Sequence, residues 1–188
     1  MDFENLVRTH YFHEADRRRD LNSSLSLPLG VLTALFAAIA AMIGGVSDPP
    51  NAMEAAILGL TSAAAFAGLR SIYFVIQAYL GYDYAHPPTM GDLSTWRDEI
   101  IALGYSPFRA NQEVEAVMTA QYAVCAQRNA LNNDQKSAYI HSAGEWLSGC
   151  LVLVILAAIP YSINKISPDP TPRAAHATQA NKLAGERS

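Results

Sequence analysis

Two long apolar runs near the start of the chain, joined by a link of only seven residues, constrain its fold more than any other feature. Residues 21–47 carry no charged side chain, and residues 55–82 carry a single one, Arg70. A helix needs about 20 mostly apolar residues to cross a bilayer. Because the link at 48–54 is too short to hold a domain, the two helices must run antiparallel, side by side. The pattern predicts a transmembrane helical hairpin over residues 21–82.

A third apolar run and the segments around it complete the predicted organisation. Residues 146–164 are free of charge and long enough to span a bilayer, but basic residues flank them on both sides, so crossing and surface association both stay open. Residues 1–20 have the period of a cytoplasmic amphipathic helix, residues 83–145 are predicted to be cytoplasmic helices, and residues 165–188 a disordered tail. Strand signals are nearly absent, so we predict an all-α membrane protein that assembles as an oligomeric bundle.

Local signals indicate where the cytoplasmic helices begin and end. Thr95 and Asp98 have the spacing of a capping box, and Gly104 is typical of the end of the short helix that would follow. Residues 111–132 carry apolar side chains on one face, which favours a bundle or coiled-coil partner. The sequence at 132–134, Asn-Asn-Asp, offers an N-cap for a helix that runs on into the third apolar run.

The distribution of basic residues predicts the orientation of the hairpin. Arg17, Arg18 and Arg19 precede the first apolar run, whereas the link between the two runs has no basic residue. Lysine and arginine near a span favour the cytoplasmic side. We therefore expect a cytoplasmic N-terminus and an external hairpin tip. The two cysteines, Cys125 and Cys150, form no disulfide framework and favour a reducing compartment.

Both hairpin helices are dense in small residues at four-residue spacing. Small residues at this spacing let helix backbones approach closely in lipid. These stripes either close the hairpin on itself or join several subunits, and both readings stay open. The small residues that we consider as pore or gating candidates are Ala37, Ala41, Gly45, Gly59 and Ala63.

Arg70 is the only charge inside the second apolar run. A charged side chain near the centre of a span costs about 2.5–3.5 kcal/mol on insertion scales and usually faces a bundle interior or water. Alternatively, Arg70 reaches the cytoplasmic interface, with Tyr73, Tyr79, Tyr82 and Tyr84 forming an aromatic belt beside it. Arg70 is therefore a pore or gating candidate with a plain topological alternative.

Basic residues next to the apolar runs are candidates for holding an anionic ligand. The triple arginine would also serve as a topology signal or contact lipid head groups. Between residues 81 and 145 there are eight acidic and four basic residues, which argues against a broad nucleic-acid-binding face. The candidate anion-binding residues are Arg17, Arg18, Arg19, Arg128 and Lys136.

An enzymatic role has little support in the residues. His10, His13, Glu14 and Asp16 form the only dense cluster of potential metal ligands, and a catalytic zinc site needs a third ligand and a positioned base. No nucleophile elbow, glycine-rich phosphate loop or pair of catalytic carboxylates is present elsewhere. We predict no catalytic residue, metal or cofactor, and keep a membrane enzyme built on the 10–16 cluster as a rival hypothesis.

Four segments carry a resemblance to a known family. They are residues 11–22 (YFHEADRRRDLN), residues 27–33 (LPLGVLT), residues 129–140 (NALNNDQKSAYI) and residues 159–161 (IPY). Together they resemble SLATT-type small bacterial membrane effectors, which accompany nucleotide-signalling enzymes in antiphage systems such as CBASS and Hailong. The chain is most similar in size and layout to the Hailong effector, whose partner enzyme makes DNA oligomers that hold it closed.

The resemblance implies a pore-forming effector of antiphage defence in the bacterial inner membrane. Such an effector is a homo-oligomeric ion channel, with a tetramer favoured, that depolarises the infected cell and arrests growth. Its ligand would be a nucleotide or oligonucleotide made by a partner nucleotidyltransferase. A rival hypothesis is a membrane anchor or scaffold, without a pore, that recruits a soluble partner through residues 111–132.

Overall fold

The computed structural model describes residues 3–47 and 50–166, and within these ranges the chain forms α-helices and no strand. The predicted all-α class is therefore confirmed for the described part. Three helical stretches, 3–43, 52–79 and 107–166, are long and apolar enough to cross a membrane. The predicted disordered tail lies outside the described residues from position 167 onward. The helices are α1 (Phe3–Ser24), α2 (Ser26–Ile43), α3 (Ala52–Tyr79), α4 (Met90–Ala102) and α5 (Pro107–Ile166).

A single residue, Leu25, separates α1 from α2. Pro28 has no amide hydrogen, so it cannot donate to the carbonyl of Ser24, its normal acceptor in a continuous helix. The neighbouring backbone bonds are long, with N–O distances of 3.4 Å from Leu25 to Asn22 and 3.5 Å from Leu29 to Leu25. The basic amphipathic segment and the first apolar run are therefore two helices, and α1 extends four residues beyond its predicted end at residue 20.

The start of α4 lies earlier than the sequence predicts. Thr89 and Asp92 form the capping box, in which the Asp92 amide donates to Thr89 Oγ1 at 3.3 Å and the Thr89 amide donates to Asp92 Oδ2 at 3.1 Å. The Thr89 hydroxyl also donates to Asp92 Oδ2 at 2.7 Å, and this bond, followed by the bond from the Thr89 amide, lowers the pKa of Asp92. The predicted box at Thr95 and Asp98 is wrong because both residues lie inside α4. The predicted end is confirmed, since Gly104 follows α4 with a φ of +90°, which favours glycine.

α5 is one unbroken helix of 60 residues, about 90 Å long at 1.5 Å per residue. The predicted N-cap at 132–134 is therefore wrong. The physical reason is that Asn132 and Asn133 hydrogen-bond to other segments of the chain instead of capping their own helix. The expectation that one helix runs through Lys136 into the third apolar run is confirmed.

The described residues form two compact units. Unit 1 comprises residues 3–32 and 69–147, and unit 2 comprises residues 33–47, 50–68 and 148–166. In unit 1, α1 packs on α5 through Tyr11, Cys125 and Ala126. Close to the Leu25 break, a second cluster joins that residue to Val75, Ala78 and Ala143, so that α3 and α5 pack on the beginning of the first apolar run.

In unit 2, α2, α3 and the apolar part of α5 pack together at two glycines. A Cβ added at Gly68 would lie 2.9 Å from Phe36 Cζ and 3.5 Å from Cys150 Sγ. A Cβ added at Gly45 would lie 3.2 Å from Tyr161 Cε2. These contacts set the apolar part of α5 antiparallel to α3 and parallel to α2, so α5 ends beside the link between α2 and α3.

Candidate anion-binding site

A cavity of about 240 Å³ in unit 1 brings two predicted anion-binding residues together. Its walls come from the end of α1, the end of α3, the loop that follows α3 and the middle of α5. Both basic residues come from helices that adjoin an apolar run. The lining residues are Arg18, Asn22, Tyr79, Tyr82, Tyr84 and Lys136.

Lys136 is a buried lysine, with only 3% of its surface exposed. Its ammonium group donates a short hydrogen bond to Asn22 Oδ1 and lies 5.8 Å from the centre of the Tyr82 ring. It forms no ion pair with any acidic side chain among residues 3–47 and 50–166. Burial, and then the positive charge of Arg18, lower the pKa of Lys136. A bound anion would offset both effects.

Arg18 is the second cation of the cavity. Its guanidinium carbon lies 4.0 Å from the centre of the Tyr84 ring, and it too has no ion-pair partner in the described part of the chain. The Tyr84 hydroxyl donates to Asn133 Oδ1 at 2.9 Å, which fixes the ring beneath Arg18. Burial raises the pKa of Tyr84 and the charge of Arg18 opposes this. Tyr84 therefore stays a neutral hydrogen-bond donor.

The other three predicted anion-binding residues each lie close to a carboxylate. Each guanidinium forms an ion pair with a carboxylate of unit 1, so each is less available to a ligand. These pairs, given as N–O distances, are Arg17 with Asp134 at 2.8 Å, Arg19 with Asp16 at 3.8 Å, and Arg128 with Asp83 at 2.6 Å.

Two asparagines of α5 hold the loop after α3 against that helix. Asn129 accepts from the Ala85 amide at 2.9 Å and donates to the Ala85 carbonyl at 3.1 Å. Asn132 donates to the Asp83 carbonyl at 2.9 Å. An amide side chain has donors and an acceptor, so it can satisfy loop backbone groups that have no helix or sheet partner. The loop is thereby positioned so that its tyrosines line the cavity.

Asn133, the residue after Asn132, links α5 to α1 by hydrogen bonds. Its side chain is fully buried, and its Nδ2 donates to the Glu14 carbonyl at 2.8 Å and to Glu14 Oε2 at 3.0 Å. Glu14 is 4% exposed, and Arg17 lies 3.6 Å from the same carboxylate oxygen. Our sequence interpretation missed this role because it treated Asn133 as a helix cap. The available signal was a group of three asparagines, at positions 129, 132 and 133, whose three- and four-residue spacing places them near one face of a helix.

The cavity combines two basic side chains of the kinds that bind phosphate in other proteins. Arg18 and Lys136 supply positive charge, and arginine in particular matches the oxygen geometry of phosphates. Comparisons with protein-family models, curated proteins and solved structures found no significant match to this chain.

The predicted cluster at residues 10–16 is dispersed over different surroundings. Glu14 is bonded to Asn133, while His10 lines a largely apolar pocket with Leu6 and Val7. Among the residues that the structure describes, no three His, Cys, Asp or Glu side chains come together in a way that could hold a metal ion.

The pore and gating candidates have different surroundings. The Arg70 guanidinium is exposed and lies 5.5, 5.2 and 5.5 Å from the ring centres of Tyr73, Phe74 and Trp146. Gly45 is in contact with Tyr161 of the same chain. The remaining small residues are exposed on the single chain, namely Ala37, Ala41, Gly59 and Ala63.

Proposed function

We propose that this chain is the subunit of an oligomeric ion channel in the bacterial inner membrane, controlled by a nucleotide or oligonucleotide signal. In an antiphage setting, its opening would depolarise the cell and arrest growth. The observation that carries the proposal is the cavity in which Arg18 and Lys136 converge without an acidic partner among the described residues. A phosphate group of the signal would bind between them.

Contacts inside unit 2 support a third membrane crossing by α5. Asn164 Nδ2 donates to Glu54 Oε1 at 3.3 Å, and Glu54 also accepts from Ser47 Oγ at 2.5 Å and from the Asn51 amide at 2.9 Å. The end of α5 is thus bonded to the link between α2 and α3. In a membrane, we infer that α5 crosses together with the hairpin and ends on the external side, opposite a cytoplasmic N-terminus.

The position of Lys136 supports conformational coupling between the ligand-binding cavity and the apolar part of α5. Lys136 and the apolar run 146–164 belong to the same unbroken helix, and the run begins ten positions, about 15 Å along the helix, after Lys136. A ligand held by both Arg18 and Lys136 would bias the position of α1 against α5. A ligand can shift a conformational equilibrium only by binding one state more tightly than the other. The conformation that the bound phosphate stabilises would then determine whether ions are conducted.

Exposed small residues support assembly of several subunits. Gly59 is exposed and a Cβ at this position would meet no other atom within 4 Å. Ala63 is one turn further along the same helix and is also exposed. A face of this kind allows a neighbouring helix to approach closely in lipid. We propose a homo-oligomer, with a tetramer favoured, in which Arg70 lies on or near the ion path.

A scaffold is the second candidate function, and one observation favours it. Val124 and Leu131 are 60% and 65% exposed and lie one heptad apart on α5. Apolar side chains at this spacing are typical of a helix that binds a partner helix. In this alternative the cytoplasmic helices recruit a soluble protein, and no current flows through the membrane.

Conductance measurements distinguish the two functions. We would reconstitute the full chain in planar bilayers, treat it with nuclease, and record currents with and without added nucleotides and short DNA. Discrete current steps that change on addition of ligand, and that differ in Arg70→Ala, would support the channel. Arg18→Gln should abolish the response to ligand, whereas the matched control Arg19→Gln, which neutralises the adjacent exposed arginine, should keep it. A silent bilayer after nuclease treatment, together with no depolarisation during infection, would contradict the channel and favour the scaffold.

A further inference from the structure

An apolar groove of about 460 Å³ adjoins the anion-binding cavity inside unit 1. Asn22 and Tyr79 line both spaces, so the groove and the cavity are direct neighbours. The groove lies between the beginning of the first apolar run and the end of the second. Its other lining residues are Leu25, Ser26, Leu29, Val75, Ile76 and Leu80.

The polarity of the combined space changes from one end to the other. At the cavity end are Arg18 and Lys136, together with Tyr82, whose buried hydroxyl has no hydrogen-bond partner among the described residues. At the groove end, apolar side chains remain accessible, since Ile76 is 46% exposed and Leu80 is 60% exposed. Two cations without an ion-pair partner next to an accessible apolar groove match a ligand with an anionic head and a hydrocarbon tail.

We propose that an anionic phospholipid occupies this combined site. Its phosphate lies between Arg18 and Lys136, and one acyl chain lies along the groove between α3 and the beginning of α2. Basic pockets beside membrane helices are a known form of headgroup recognition. The lipid is the resting occupant that a nucleotide displaces. The displacement of the lipid by a nucleotide rests on the proposed channel function. Binding of the lipid itself does not, because the lipid would bind in the same way to a protein without a pore.

The charge and the position of the site favour a lipid over a soluble phosphate as resting occupant. A soluble nucleotide would use the cations but leave the groove at Leu25 and Leu80 unfilled. The groove starts where the first apolar run starts, so the adjoining cations lie at the level of lipid head groups in an inserted hairpin. An acyl chain would also cover the accessible surface of Ile76.

Lipid retention on the full chain tests the proposal. The protein is reconstituted in nanodiscs that contain phosphatidylcholine and phosphatidylglycerol, extracted in mild detergent, and the retained lipids are quantified by mass spectrometry. Arg18→Gln and Lys136→Gln remove the charges, and Ser26→Trp fills the groove without changing any charge. The matched control is Arg19→Gln. A second measurement, binding of radiolabelled inorganic phosphate to the same samples, reports on the cations alone.

The wild type and Arg19→Gln should retain phosphatidylglycerol in preference to phosphatidylcholine. Arg18→Gln and Ser26→Trp should each weaken retention roughly tenfold to a hundredfold, and Ser26→Trp should leave phosphate binding unchanged. Equal retention of both lipids, or equal retention by all variants, would overturn the proposal even if Lys136→Gln failed to fold. Retention unaffected by Ser26→Trp would also overturn it and indicate a site for free phosphate. A channel that never conducts would refute the proposed function but leave the lipid result standing.

Discussion

Replacing Asn133 with alanine should destabilise unit 1 more than any other single amide substitution in α5. The Asn133 side chain is fully buried and makes three hydrogen bonds, two to Glu14 and one from the Tyr84 hydroxyl. Asn133→Ala leaves the carboxylate of Glu14, which is 4% exposed, with one fewer donor in a buried position. It also leaves the Tyr84 ring, which lies under Arg18, without its anchor.

The expected loss of stability follows from those three bonds. A hydrogen bond to a charged group contributes about 1.5–3 kcal/mol and a neutral one about 0.5–1.5 kcal/mol. With one bond to the carboxylate and two neutral bonds, we expect Asn133→Ala to cost about 3–5 kcal/mol. Asn132→Ala is the matched control, because Asn132 makes a single exposed bond to the Asp83 carbonyl and should cost less than about 1 kcal/mol.

Equilibrium unfolding of the full chain in mixed micelles measures both variants. A double-mutant cycle with Glu14→Ala should give a coupling energy of about 1.5–3 kcal/mol between Glu14 and Asn133. If Asn133→Ala and Asn132→Ala lose the same small amount of stability, or if the coupling is absent, the buried amide does not hold α1 to α5. The positioning of Arg18 through Tyr84 would then need another explanation.

Three further predictions concern the site, the packing and the topology. Burial and the charge of Arg18 lower the pKa of Lys136 below its ordinary 10.5. Anion binding should therefore weaken as the pH rises through that lowered pKa, because Lys136 loses its charge. When phosphate binding is measured against pH, this weakening should be absent in Lys136→Arg. Without ligand, stability should rise over the same range, since the unfolded chain then binds more protons than the folded chain. Gly68→Val should lower the free energy of unfolding by about 1–3 kcal/mol because its Cβ would meet Phe36. Gly59→Val should leave the fold intact, because its Cβ would meet no other atom within 4 Å, but should reduce the oligomer mass measured by light scattering. An unchanged mass would contradict a subunit interface at Gly59. In intact cells with their outer membrane permeabilised, an impermeant maleimide should label Ile166→Cys and not Thr9→Cys, and the reverse pattern would refute the proposed orientation.

The helices were largely predictable from the sequence, because long charge-free runs and a proline impose strong local signals. The start of α4 was mispredicted since two threonines, Thr89 and Thr95, each precede an aspartate by three residues, and local spacing alone does not choose between them. The amides at 132–133 were misread as a cap for a related reason. Asparagine serves equally well as a cap or as a bridge to a distant backbone, and only the packing of α1 and the loop on α5 decides.

The sequence did not show which of the candidate basic residues would line a common cavity. Five basic residues satisfied the same criterion in the sequence, namely proximity to an apolar run. What separates Arg18 and Lys136 from the other three is the position of acidic partners such as Asp83 and Asp134, which act across 45 and 117 positions of the chain. Ion pairs between residues so far apart in the chain depend on how α1 and the loop after α3 pack on α5. The sequence alone therefore does not distinguish basic residues with an ion-pair partner from those without one.

The proximity of Arg18 and Lys136 raises the free energy of the empty site, and a bound anion would lower it. Two like charges repel, and burial of Lys136 adds a desolvation cost, so the lowered pKa of Lys136 records an unfavourable arrangement. Arg17, by contrast, forms an ion pair with the carboxylate of Asp134. The amide of Asn22 solvates the ammonium group but carries no charge. We therefore propose that an anion from outside the described residues completes this site, and a phosphate, from a lipid or from a nucleotide, has the required charge.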